Sequence, residues 1–133
     1  MEFDITKRHC YYFNECAKIP HGSYNEKGIS DWLVRFAKDH NLEYKQDEVW
    51  NVIMYKPASV GYEDAEPLIL QAHTHMVAEK NKDSAHDFEK DPLQLYVEDG
   101  WLHAKGTTLG ADDCTGVAYM LAILEDDDLP HPP

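Results

Sequence analysis

Pro67-Leu68-Ile69-Leu70-Gln71-Ala72-His73-Thr74-His75 decides the fold of this chain, because a nearly continuous apolar run leads straight into two histidines. Such a run is the pattern of a β-strand covered on both faces, as in sheets flanked by helices. It predicts an α/β class with polar groups at the carboxyl end of a buried strand, the edge where open α/β sheets usually bind ligands. On a strand, residues two apart point to the same face, so His73 and His75 can reach one metal or one substrate. The same spacing is also compatible with a plain surface role, since the chain contains eight histidines.

Outward from that stretch the periodicities supply the scaffold. Ile29, Trp32, Leu33, Phe36 and Ala37 recur at helical intervals behind a Ser23/Glu26 capping-box spacing, which predicts a helix from Asn25 to His40. Ile5 to Lys18 reads as a less regular helix, stopped by Ile19-Pro20-His21-Gly22. Leu42–Gln46 and Val49–Tyr55 read as short strands, and Asp99-Gly100 between Val97 and Trp101 is a hairpin signal. Val77 to Pro92 is charged and aperiodic, a surface excursion. Gly110-Ala111-Asp112-Asp113 turns into an apolar helix from Gly116 to Leu124. That helix ends in Glu125-Asp126-Asp127-Asp128, acids that oppose the macrodipole and should fray its end unless something outside the chain covers them.

Composition narrows the function classes. The chain has 133 residues, with 12 Lys and Arg against 25 Asp and Glu, a net charge of −13. That sign argues against nucleic-acid backbones and anionic membrane surfaces as partners. No apolar run approaches the ~20 residues of a membrane span, and Met1 to Cys10 lacks a signal-peptide apolar core. No repeat or flexible linker divides residues 1–133, so they read as one unit. Cys10, Cys16 and Cys114 are an odd count without a CxxC, so neither a disulfide framework nor a cysteine zinc knuckle is indicated, and a reduced, cytoplasmic setting is expected. Cys114 has no histidine partner identifiable by sequence and reads as a buried, inert thiol. The glycines form neither a GxGxxG nor a GxxxxGK[ST], which leaves nucleotide binding without support. At the Asp112-Asp113 turn an acid can cap the helix. A carboxylate held there can equally bridge two divalent cations.

Many separate blocks, in one order, carry a more specific signal. They are Ile19-Pro20-His21-Gly22-Ser23, Asn25-Glu26-Lys27-Gly28-Ile29-Ser30, Gln46-Asp47 with Asn51-Val52, Leu70-Gln71-Ala72-His73, Glu79-Lys80-Asn81-Lys82-Asp83, His86 to Pro92 and Gly106 to Asp112. With them the chain resembles the amino-terminal part of the M20 family of zinc metallopeptidases, in its cytosolic aminoacyl-histidine or non-specific dipeptidase branch. The resemblance implies a partial three-layer sandwich with a twisted mixed sheet, like the first half of a zinc-exopeptidase catalytic domain, without the family's lid domain. It implies Zn²⁺, or Mn²⁺ or Co²⁺, as cofactor, with His73 as a ligand of one ion and Asp112 as the carboxylate bridging two.

The departures from the family pattern shape the functional expectation. His75 stands where the family has an aspartate that orients the first ligand, and loss of such a group typically lowers metal affinity or activity ~10–100-fold. By the same resemblance the general-base glutamate and the remaining ligands fall beyond Pro133. The expectation is a fragment or shortened form of a metal-dependent dipeptidase, inactive alone and acting on dipeptides only if completed by other segments. The alternative is a non-catalytic metal-binding or interaction module of the same ancestry. Apolar surface on Leu68, Leu70 and Val117 to Leu124, left bare by the missing elements, predicts self-association.

Overall fold

The computed structural model describes residues 3–133. Helix α1 (Arg8–Ala17) turns Tyr12, Phe13, Cys16 and Ala17 inward and stops before the Pro20 turn. Helix α2 (Lys27–Asp39) buries Ile29, Ser30, Leu33, Val34, Phe36 and Ala37, the stripe its 3.6-residue period lays on one face. Tyr12 of α1 meets Phe36 of α2 edge-on, with ring centroids 5.5 Å apart. Helix α3 (Ala111–Glu125) packs on α1 and adds Cys114, Val117, Ala118 and Leu121 to the same core.

Two antiparallel hairpins complete the regular structure. Strands β1 (Glu43–Gln46) and β2 (Val52–Tyr55) pair Glu43 with Tyr55 and lie against α2. Their connection is held by the Asp47 carboxylate, which accepts the N–H groups of Val49 (3.0 Å) and Asn51 (2.8 Å), so β2 begins later than its apolar residues suggest. Strands β3 (Leu95–Glu98) and β4 (Trp101–Ala104) are joined by Asp99 and Gly100 at φ 50° and 83°. Two successive positive φ values are what a tight two-residue hairpin requires.

The α/β class holds, but the sheet differs from expectation. Among the described residues there are two separate two-stranded antiparallel sheets rather than one twisted mixed sheet. Residues 67–72 are not a paired strand, and Leu68 and Ile69 stand 63% and 87% exposed. A strand covered on both faces needs neighbours for its backbone and helices over its side chains. Here the Leu68 N–H bonds the Pro133 carbonyl (2.9 Å) and Ala72 packs on the core, while the nearest bridge, Gly22 to Met76, falls beyond the segment.

Three further expectations change. The Ser23/Glu26 capping box does not form. The Ser23 N–H is taken by the Met76 carbonyl (3.1 Å), and the Glu26 carboxylate turns back to the Tyr24 N–H (2.8 Å). Cys16 and Cys114 are joined as a disulfide across the α1–α3 contact, leaving Cys10 free. Their 98-residue separation in sequence concealed a pairing that only helix packing creates. Nor is the acidic end of α3 uncovered. The Arg8 guanidinium and the Tyr12 hydroxyl both bind the Glu125 carboxylate, and the Lys56 ammonium donates to the carbonyls of Leu124 (2.9 Å) and Asp126 (2.8 Å). Cations from the chain itself thus meet the negative end of the helix dipole.

Hydrogen bonding from Arg8 holds the Glu125 carboxyl below the ordinary glutamate range, while burial pushes the Tyr12 phenol up. A carboxylate depressed in the folded state contributes stability that is complete above its unfolded value, near 4.5, and is lost as pH falls through the folded value. Glu125→Gln should therefore cost about 1–2 kcal/mol at neutral pH. It should also flatten the acid limb of stability below that unfolded value, as read by urea denaturation across a pH series.

Candidate functional site

Three segments meet at Gly110. Its φ of 70° lies in the left-handed region that favours glycine, and a Cβ there would stand 3.0 Å from the Met76 thioether and 3.3 Å from His21 Nε2. Met76 is tied to the α1–α2 connection in both directions, its N–H to the His21 carbonyl (3.0 Å) and its carbonyl to the Ser23 N–H (3.1 Å). These contacts fix the residue 73–76 segment against the start of α3. Across that junction His73 Nε2 lies 2.9 Å from Asp112 Oδ1.

The histidine faces an acceptor at each nitrogen. Nδ1–H donates to the His75 carbonyl (3.0 Å), which leaves Nε2 directed at a carboxylate. The ring therefore sits between a backbone carbonyl and a carboxylate, and both of its nitrogens are engaged. Two nitrogen or oxygen donors on one tetrahedral zinc ion stand about 3.3–3.5 Å apart, so the observed 2.9 Å is a hydrogen-bond spacing that would have to widen slightly to admit an ion. His75 thus orients His73 through its backbone, while its ring stacks on that of His73 at 4.5 Å.

Asp112 and Asp113 differ in what they do at this turn. The Asp113 carboxylate accepts the Gly116 N–H (3.0 Å) and caps the helix. Backbone angles at both residues are non-helical, so the regular helix starts after them and the Asp112 side chain is left 97% exposed. Among the described residues no third histidine, cysteine or carboxylate atom lies within 4.8 Å of both His73 Nε2 and Asp112 Oδ1. The surface hollows between α1 and α2 and beside β3 are lined by neither residue.

Sequence reading missed one cluster. His21 Nε2 lies 3.2 Å from Cys114 Sγ, so Cys114 has the histidine partner that spacing did not reveal, 93 residues earlier in the chain. His21 is 2% exposed, and burial pushes its imidazole below the usual histidine range. The only local signal was the Pro20-His21-Gly22 turn, which reads as a chain reversal.

No protein-family profile matches the chain. Over 121 residues it is 44% identical to the cytosol non-specific dipeptidase of Escherichia coli (strain K12), a match covering 91% of this chain and 25% of that protein. The crystal structure of aminoacylhistidine dipeptidase from Vibrio alginolyticus superposes with a TM-score of 0.90 at 38% identity, over 94% of this chain and 26% of that one. These matches support a segment of an M20 peptidase. The chain spans about a quarter of the length of these relatives. A tripeptidase structure from Staphylococcus aureus, at 23% identity, shares the fold with a TM-score of 0.74 over 99% of this chain and 35% of its own length. Among the described residues no helix is long and apolar enough to cross a membrane.

Because the site depends on the close approach at residue 110, Gly110→Ala should destabilise the chain by about 1–3 kcal/mol through a strained left-handed residue. The added methyl also pushes on Met76 and His21. A lowered urea midpoint with unchanged helix content by circular dichroism is the expected result.

Proposed function

We propose that this chain is the metal-site-bearing segment of a cytosolic dipeptidase, that it holds a divalent cation through His73 and Asp112, and that it does not turn over dipeptides alone. The observation that supports this reading is the His73 ring with an acceptor at each nitrogen, one of them the Asp112 carboxylate. The carbonyl of His75 takes the place of the orienting carboxylate expected there. It holds Nδ1–H and so directs Nε2, without the negative charge that would strengthen the ligand. Asp112, free of the helix and open to solvent, keeps its second oxygen available for another ion. A cation held there supplies Lewis acidity toward a peptide carbonyl.

Two protein ligands are fewer than the three or four usual at zinc, and a reaction without a positioned base loses ~10²–10⁴-fold in rate. Weak metal binding without turnover follows. A non-catalytic metal-binding role is the second reading, favoured by the absence of a third ligand among the described residues near His73 and Asp112. In calorimetric titrations with Zn²⁺, Mn²⁺ or Co²⁺, His73→Ala and Asp112→Asn should each weaken binding at least about tenfold. Dipeptide hydrolysis by the unmutated chain should stay at background. Robust turnover by this chain alone would overturn the inactivity, and unaltered affinity in both variants would overturn the ligand assignment.

The same reading covers partners. Leu68, Ile69 and Leu70 are exposed together, with Tyr119 and Ile123 on the outer face of α3, while Val117, Ala118 and Leu121 are covered by α1. Exposed apolar side chains of this kind favour pairing with a copy of the chain. Size-exclusion chromatography with light scattering at low micromolar concentration should give a mass above the monomer, and a clean monomer would reject self-association.

A further inference from the structure

A second group of ligand-type atoms lies away from solvent. Cys16, His21 and Cys114 are 0%, 2% and 3% exposed, and their ligand atoms all fall within 4.8 Å of one another. His21 Nδ1–H donates to the Ile19 carbonyl at 2.6 Å, which fixes the tautomer of the neutral ring and presents Nε2 as a lone pair. That lone pair faces Cys114 Sγ at 3.2 Å. A disulfide sulfur carries no proton, so the oxidised pair offers this buried acceptor no donor, whereas a thiol or a cation would satisfy it.

The backbone suits a cation as well as a bridge. The two cysteine Cα atoms are 6.8 Å apart, at the wide end of the disulfide range. Two thiolates on one tetrahedral zinc ion stand about 3.8 Å apart, which side-chain rotation alone can reach from that backbone. Met76, 2% exposed, brings its thioether close to His21, since both crowd the position at Gly110. Two thiolate charges balance one divalent ion, so the filled site would be neutral in the core, where an uncompensated charge is costly. The donor set, sulfur and imidazole without oxygen, selects thiophilic metals.

We propose that Cys16, Cys114 and His21 form, when the disulfide is reduced, a buried binding site for a thiophilic divalent cation of the zinc class that joins α1 to α3. A dithiol reductant converts the disulfide to two thiols and itself becomes a disulfide. Each cysteine then loses its proton to solvent as its sulfur bonds to the metal. Its ligand atoms are distinct from those of His73 and Asp112.

The test uses the whole chain, reduced with a phosphine under nitrogen, desalted, and titrated with Co²⁺ and then Zn²⁺. One equivalent of Co²⁺ should produce a near-ultraviolet sulfur-to-cobalt charge-transfer band, displaced by Zn²⁺. Cys16→Ser and Cys114→Ser should abolish the band, and His21→Gln should weaken binding about tenfold or more. His73→Ala, Asp112→Asn and Cys10→Ser should leave it unchanged. X-ray absorption at the zinc edge of the unmutated chain should count two sulfur neighbours, a result that does not depend on any variant folding. A reduced chain without the band, a band that survives Cys114→Ser, a zinc shell of oxygen and nitrogen alone, or a pair that resists reduction would each overturn the proposal.

Discussion

The contact of Gly110 with Met76 and His21 is the constraint on which the rest of the site depends. It joins the start of α3, the end of the His73 segment and the turn after α1 at one point. Only a residue without a side chain permits that approach in a left-handed conformation. Asp112 is then placed opposite His73 by backbone geometry, and neither side chain has to reach for the other. A pair set by such a junction is held in place by the backbone before any ligand is considered.

Charge is distributed along the chain in a way its total conceals. A net charge of −13 describes a strongly acidic chain, yet two of its 12 cations stand at one structural joint. Arg8 and Lys56 both meet the end of α3, one through the Glu125 carboxylate and the other through backbone carbonyls. Asp112 by contrast has no lysine or arginine partner among the described residues, and its side-chain bond there is to His73. An acid left facing an imidazole on an acidic surface attracts cations, and that is the one functional tendency composition and geometry share.

Legibility followed locality. The amphipathic period of α2 and the Asp99-Gly100 turn were readable because their signals are short-range, set by the residues themselves. His73 and Asp112 were legible through family resemblance, and the structure brings them together. The strand expected at 67–72 was not, because apolar character reports a tendency to be covered and cannot supply the neighbours. The Ser23 cap failed for a related reason, since a long-range bond to Met76 outcompeted a local one. Cys16, His21 and Cys114 lie far apart in sequence, and no periodicity connects residues that only the packing of α1 on α3 makes adjacent.

The link between Cys16 and Cys114 closes most of the polypeptide into a covalent ring, with both hairpins and the long 77–92 excursion inside it. While that link is intact, a protease that nicks the excursion opens the ring without releasing either half. The two pieces would still migrate as one body until a reductant freed them.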